Sequence, residues 1–217
     1  MKSMSVPISH AKTLRLVETG ILLAIATVLN MIKLYQLPFG GEITFASALP
    51  IVLISYRHGI KWGLFSGFVY SLLQIATGFG TVKSFFVPED YAIWASIGII
   101  LLDYVIACMV LGLGGMFRNK FKSAPALCLG TAVTMLLKYI AHIISGVLFF
   151  GAWAEWFFSQ EGFYAVGAKI LDNFSGTGLA VIYSVFYNGL HMIPEIIITM
   201  IVAYVISKVP AIAKKIN

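Results

Sequence analysis

The sequence predicts an all-α integral membrane protein with about six transmembrane helices, arranged as a single membrane domain over residues 1–217. Hydrophobic residues make up 59% of the chain and charged residues only 11%, which is less than half the charged fraction of an ordinary soluble domain. Several apolar runs approach the roughly 20 residues that a helix needs to cross the hydrocarbon core of a bilayer. The mean hydropathy of +0.92 also favours lipid, because so few charges cannot cover a water-facing surface.

The predicted helices follow the apolar runs, and polar or glycine-rich segments separate them. The second run is short for a span, and residues 151–178 are predicted to form a long loop that mixes aromatic residues, glycines and charges. The runs predict helices at roughly 16–32, 43–56, 59–78, 94–117, 126–150 and 179–206.

The distribution of basic residues predicts how these helices are oriented. If the N-terminus is cytoplasmic, the inner segments hold eleven lysine and arginine residues, and the outer segments hold only Lys33, Lys83 and Lys169. Cytoplasmic loops are enriched in basic residues, so both termini are predicted to lie inside. The same distribution explains the net charge of +6 without a nucleic-acid partner, because these residues face anionic lipid. We therefore expect a multi-pass protein of a prokaryotic plasma membrane.

Asp103, Lys138, His142 and Glu195 are ionisable residues within predicted helices, where a charge is costly unless it is paired or hydrated. Asp103 lies about halfway along the fourth helix, and it indicates either an ion pair with Lys138 or a carboxylate that faces a cationic ligand. His142 is four residues from Lys138, so the two share one face of the fifth helix, near its outer end. Lys138 itself fits pairing or snorkelling, and Glu195 fits a structural pairing, a partner contact or a ligand role.

Aromatic residues are concentrated at the outer ends of the last two helices. Phe150 and Trp153 lie at the end of the fifth helix, and Tyr183 lies near the outer end of the sixth. Such rings settle at membrane interfaces in any case, but the same residues can form a cage around a cation when their faces turn inward. The sequence leaves both interpretations open.

Motifs of catalysis are absent from the sequence. There is no Walker A motif, no HExxH pair and no GxSxG elbow, and the four histidines are scattered. Cys108 and Cys128 lie in apolar surroundings without metal-ligand spacing, which is typical of small packing residues. We therefore expect ligand capture and transport without catalysis, metal or cofactor, with a membrane enzyme as the less favoured class.

The residues described above resemble those of a known family. The resemblance runs from about residue 15 to residue 207, and its blocks occur in the family's order. They are Arg15-Leu16 with Gly20-xxx-Ala24, Leu101-Leu102-Asp103-Tyr104 with Gly112 to Gly115, Lys138 leading to His142-xx-Ser145-Gly146, and Tyr183 with Tyr187-Asn188. The chain is similar to the S components of energy-coupling factor (ECF) vitamin transporters, and most similar to their thiamine-specific branch, the ThiT/YuaJ type.

This resemblance implies an S-component fold that captures thiamine from outside the cell. It also implies docking onto a transmembrane coupling subunit that carries two ATPase subunits, so ATP hydrolysis belongs to other chains. Gly20 and Ala24 match the small-residue surface that the family uses for docking. An S component for another vitamin or precursor, such as riboflavin, pyridoxine or hydroxymethylpyrimidine, is the alternative within the same class.

The family's ligand-site residues map onto individual positions of this chain. Its acidic residue, which is Glu in some members, falls on Asp103, and its histidine, tyrosine and asparagine fall on His142, Tyr183 and Asn188. Some members carry tryptophans where this chain has Gly41, Tyr70 and Phe150, which indicates a subtype. The predicted ligand-binding residues are therefore Asp103, His142, Tyr183, Asn188, Tyr70, Phe150, Lys138 and Trp153.

Overall fold

The computed structural model describes residues 8–37, 41–86 and 93–212, and its regular structure is helical apart from one β-hairpin. Strands β1 (Lys33–Gln36) and β2 (Glu42–Thr44) pair antiparallel between the first two helices. The helices of the described ranges are α1 (Ile8–Met31), α2 (Leu49–His58), α3 (Ile60–Thr77), α4 (Phe79–Ser84), α5 (Ile93–Phe117), α6 (Ser123–Phe149), α7 (Ala154–Phe158), α8 (Tyr164–Asn173) and α9 (Gly176–Ser207).

Four of the described helices are long and apolar enough to cross a membrane. They are Lys12–Met31 within α1 and the whole of α5, α6 and α9. Helix α2 has 10 residues and α3 has 18, both short of the roughly 20 that a full span requires. The count of six spans and the cytoplasmic position of both termini stay predictions.

Two sequence predictions differ from the structure. The helix predicted at 43–56 begins only at Leu49, because Ile43 and Thr44 pair with β1 and Ala46 adopts a left-handed backbone with φ of 60°. The segment 151–178, predicted as a loop, contains α7 and α8. In both cases hydropathy identified an apolar or polar segment correctly but could not distinguish its local backbone structure.

Helix α2 lies at the centre of the fold, and this explains why its sequence is apolar on every side. All residues from Leu49 to Tyr56 are buried. Small residues allow neighbouring helices to approach α2 closely, and a Cβ added to Gly112 of α5 would overlap the backbone of Gly63 in α3. The Ser55 hydroxyl donates to the Gly112 carbonyl and accepts from the Gly115 amide. These contacts fix α5 against α2 and α3.

Helix α5 changes its winding along its length. Residues Ile100–Ile106 form a π-helical segment, and Val110–Phe117 form a 3₁₀ helix. Asp103 lies in the middle of the π segment. Such wide turns are often found at functional sites, because they redirect side chains relative to a regular helix.

A cluster of charges ties α1 to the end of α2 and to the C-terminal segment. Arg57 pairs with Glu18 of α1, and it donates to the carbonyls of Ala211 and Ile212 at 2.9 and 2.6 Å. His58 Nε2 lies 3.3 Å from a Glu18 carboxylate oxygen. His58 ends α2 outside the four candidate spans, and burial lowers its pKa from the ordinary 6.5, with Arg57 adding to the effect and Glu18 opposing it.

Acidification is expected to destabilise this cluster. Because the folded pKa of His58 is lowered, stability is complete above the unfolded pKa of about 6.5 and falls as the pH drops below it, by at most about 1.4 kcal/mol per pH unit. The melting temperature of His58→Gln should therefore decrease less between pH 7 and pH 5 than that of the unmodified protein. Equal slopes in the two proteins would contradict the assignment to His58.

Candidate functional site

A cavity of about 190 Å³ lies among α1, the β-hairpin, α3, α5, α6 and α9. It is lined by the ends of α1 and α3 that lie beside the hairpin, by the π segment of α5, and by one face each of α6 and α9. The side chains on these elements are a mixture of carboxylates, amines, amides, imidazoles and rings. Such a combination fits a ligand that is both flat and polar.

Asp103 and His142 form the charged centre of one wall. His142 Nδ1 lies 2.7 Å from Asp103 Oδ1, and the Ser145 hydroxyl donates to Asp103 Oδ2 at 2.5 Å. The two side chains retain 20% and 13% exposure, so both face the cavity. Each carboxylate oxygen can accept more than one bond, and a neutral His142 with its proton on Nδ1 leaves Nε2 as an acceptor. This wall therefore presents acceptors and negative charge to a ligand.

The formal charge of the cavity lining favours a cation. Three carboxylates (Glu42, Asp103 and Glu195) and two ammonium groups (Lys33 and Lys138) line it, which leaves one negative charge when the histidines are neutral. Lys33 pairs with Glu42 at 2.5 Å. Among the described ion pairs, Asp103 is joined to His142, and Lys138 takes part in none. In place of the Asp103–Lys138 ion pair considered from the sequence, Asp103 makes a hydrogen bond with His142.

Asn188 is held by the protein on both sides of its amide. Its Nδ2 donates to the backbone oxygens of Ser184 and His142 at 2.9 and 3.2 Å. Its Oδ1 lies 3.2 Å from Nε2 of His191. The orientation of the amide is thus fixed, and the second lone pair of Oδ1 can accept a hydrogen bond from a ligand.

Aromatic rings form the apolar walls of the cavity. Phe150 at the end of α6 packs edge-on against Phe85, with ring centroids 6.3 Å apart. On α9, the Tyr183 and Tyr187 rings lie 5.7 Å apart, and Phe157 of α7 packs edge-on against both. Helix α7 therefore supports the tyrosines from outside the cavity.

The structure brings six of the eight predicted site residues to this cavity: Asp103, Lys138, His142, Phe150, Tyr183 and Asn188. Tyr70 and Trp153 are placed elsewhere. Tyr70 is only 1% exposed in the core, where its hydroxyl lies 3.5 Å from the Ala26 carbonyl of α1. Trp153 is 39% exposed, and its ring packs edge-on against Trp156. The geometry therefore does not support stacking of a ligand on the Tyr70 or Trp153 ring.

Several lining residues were not among the predicted site residues, and they fall into two groups. Tyr104, Tyr187 and His191 adjoin predicted residues or follow them at helical spacing, so the period of α5 and α9 could have found them. Gly41 was noted only as a departure from the family pattern, and Thr44 not at all. Both lie on or beside β2, and no local pattern indicated that this strand crosses the cavity.

The described residues contain no group of three or more His, Cys, Asp or Glu side chains arranged to hold a metal ion. The side chains that line the cavity offer charge, hydrogen bonds and ring faces to a ligand. Ionisable residues around a cavity within a multi-helix membrane protein are typical of membrane proteins that bind or transport solutes.

Comparisons with known proteins identify the family within that class. The family model described as thiamine transporter protein (Thia_YuaJ) matches residues 16–160. The chain is 30% identical to the thiamine transporter ThiT of Bacillus subtilis over 87% of each chain, and 26% identical to the thiamine transporter ThiT of Lacticaseibacillus paracasei over 67% of this chain and 72% of that one. The chain belongs to the Thia_YuaJ family.

A solved structure of ThiT from Listeria monocytogenes has the same fold. Its TM-score is 0.67 at 20% sequence identity, and the match covers 93% of this chain and 98% of that one. This similarity confirms the predicted helical S-component fold. Family membership likewise confirms a multi-pass membrane protein whose class is transport and not catalysis.

Proposed function

We propose that this protein is the thiamine-binding S component of an energy-coupling factor importer. It captures thiamine on the outer side of the membrane and delivers it for ATP-driven uptake by partner subunits. The observation that carries the proposal is the Asp103 carboxylate, held by His142 and Ser145 in a ring-walled cavity whose lining has a formal charge of −1. Membership of the thiamine transporter family supports the same ligand.

The chemistry of thiamine suits the cavity. Its thiazolium ring carries a permanent positive charge, which a carboxylate in a region of low dielectric attracts more strongly than it would in water. Its aminopyrimidine is flat and offers both donors and acceptors. Phe150 and the tyrosines of α9 provide ring faces. His142 Nε2 and Asn188 Oδ1 are acceptors for the amino group, and Lys138 is a donor for a ring nitrogen.

The partners follow from the family and from the surface of α1. Gly20 and Ala24 are both exposed on α1, and a Cβ added at Gly20 would have nothing within 4 Å. This face is therefore open to close approach by another helix, here that of a transmembrane coupling subunit in the same bilayer. Two ATPase subunits supply the energy, and this chain needs no cofactor of its own.

Intrinsic tryptophan fluorescence of the purified protein tests the ligand. Thiamine is expected to change the signal saturably, because Trp153 and Trp156 lie on the 3₁₀ turn and helix that support the cavity tyrosines. Riboflavin and pyridoxine serve as controls and should give no saturable change. A saturable response to an uncharged vitamin, with none to thiamine, would overturn the proposal and assign the protein to another vitamin.

A further inference from the structure

The β-hairpin that crosses the cavity needs support from outside itself. Strands β1 and β2 form a sheet of two strands, and a lone two-stranded hairpin is at best marginally stable. Lys33, Glu42 and Thr44 of these strands line the cavity, together with the adjacent Gly41. The position of the hairpin therefore determines how completely the cavity is enclosed.

Glu195 of α9 makes the most specific contact with this hairpin. It is 3% exposed, and its two carboxylate oxygens accept from the Thr44 amide and the Thr44 hydroxyl, each at 2.6 Å. Hydrogen bonds to a charged acceptor are roughly twice as strong as those between neutral groups. The same Thr44 hydroxyl lies 2.8 Å from the Ser47 hydroxyl and accepts from the Ser47 amide at 3.3 Å. This network spans the turn that contains the strained Ala46, whose φ is 60°.

Two further residues extend this contact along the strand. Tyr187 and His191 of α9 line the cavity together with Gly41 and Glu42. Gly41 lies so close to the imidazole that an added Cβ would come within 2.8 Å of His191 Cδ2. Because these residues and Glu195 are spaced four apart, they share one face of α9.

The dimensions of the two elements match. Eight residues of helix from Tyr187 to Glu195 rise about 12 Å, and three residues of strand from Gly41 to Thr44 extend about 10 Å. One side chain per helical turn therefore meets the strand at successive positions. The three side chains of α9 therefore lie in a row along the strand, and Glu195 makes two charge-assisted hydrogen bonds to it.

We propose that Glu195 is a positioning residue that anchors β2 to α9 and so sets the lifetime of the bound ligand without binding it. This inference rests on the proposed function for the identity of the ligand. Its physical basis is that Glu195 is 3% exposed with both oxygens bonded to Thr44, whereas the Asp103 side chain retains 20% exposure toward the cavity. Lys138, on the neighbouring α6, is a cation that lines the same cavity as Glu195.

Ligand dissociation and hydrogen exchange test the anchor separately. Glu195→Gln and Thr44→Val are each expected to speed thiamine dissociation about tenfold, since each removes a charge-assisted bond, with little change in the association rate. The double variant should dissociate no faster than Glu195→Gln alone, because the hydroxyl bond that Thr44→Val removes already depends on the Glu195 carboxylate. Thr44→Ser keeps the hydroxyl and should stay within about twofold of the unmodified protein.

Exchange of the β2 amides in the ligand-free protein gives a readout that does not depend on the ligand. Glu195→Gln and Thr44→Val should both accelerate exchange in the peptide that covers residues 41–47 and leave α6 unchanged.

Unchanged exchange and dissociation in Thr44→Val would overturn the inference even if Glu195→Gln fails to fold. A much larger loss of affinity in Glu195→Gln than in Thr44→Val would instead make Glu195 a ligand contact. Absence of thiamine binding by the unmodified protein would reject the proposed function, and exchange would still test the anchor.

Discussion

Replacing Asp103 by asparagine is expected to weaken thiamine binding by about 30- to 1000-fold. The substitution keeps the shape of the side chain but removes the charge opposite a permanent cation, and truncating one partner of a buried charge pair typically costs about 2–4 kcal/mol. Each 1.4 kcal/mol corresponds to a factor of ten in the dissociation constant. Titration of purified protein by calorimetry or tryptophan fluorescence measures the change.

Two matched variants separate charge from other effects of this change. Asp103→Glu retains the carboxylate and should lose much less affinity than Asp103→Asn. Glu155→Gln removes an exposed carboxylate from α7, outside the cavity lining, and should leave binding unchanged. Because Asp103 also accepts from His142 and Ser145, melting temperatures must show that Asp103→Asn is folded. A folded Asp103→Asn protein with unchanged affinity would place the cation elsewhere.

Hydropathy located the long helices well because lipid selects composition over the whole length of a span. Helix α6 runs from Ser123 to Phe149 where residues 126–150 were predicted, and α9 runs from Gly176 to Ser207 where 179–206 were predicted. The same signal failed at residues 43–56, since a buried helix that is shorter than a span follows β2 with few polar residues between them. Composition reports the surroundings of a segment, not its backbone geometry.

Side chains on one helix were easier to place together than those on different helices. Lys138 and His142 share a face of α6 by their spacing alone, and both line the cavity. Whether Asp103 pairs with Lys138 or with His142 depends on how α5 is rotated against α6. The π-helical segment around Asp103 changes this rotation, because its turns are wider than the 3.6 residues assumed for a regular helix.

The contact between Glu195 and the β-hairpin could not be predicted from the sequence. Thr44 and Glu195 are separated by 151 residues, and neither has a neighbour that indicates the other. Glu195 was noticed only because a carboxylate within a span is unusual. A partner contact, a ligand role and a structural pairing of Glu195 all fit the sequence equally well, and only the fold distinguishes them.

Placing leucine at both Gly20 and Ala24 is expected to abolish thiamine uptake while leaving thiamine affinity within about twofold of the unmodified protein. Both positions are exposed on α1, and an added Cβ at Gly20 meets no atom within 4 Å, so the isolated protein accommodates the larger side chains. Close helix packing in a bilayer depends on small residues at the interface, so two isobutyl groups keep a coupling subunit away. Uptake by cells that co-express the coupling and ATPase subunits measures transport, and titration of the purified variant measures binding.

The double variant Ile21→Leu/Ile25→Leu is the matched control, since it places two leucines on the same helix without adding volume. Both isoleucines are exposed, at 56% and 43%, and the cavity lining does not include them. Transport near the unmodified level in this control, combined with its loss in Gly20→Leu/Ala24→Leu, would assign the defect to bulk at the small residues. If the Gly20→Leu/Ala24→Leu protein lost binding and transport together, α1 would be part of the binding unit. Capture and docking would then not be carried by separate surfaces of this chain.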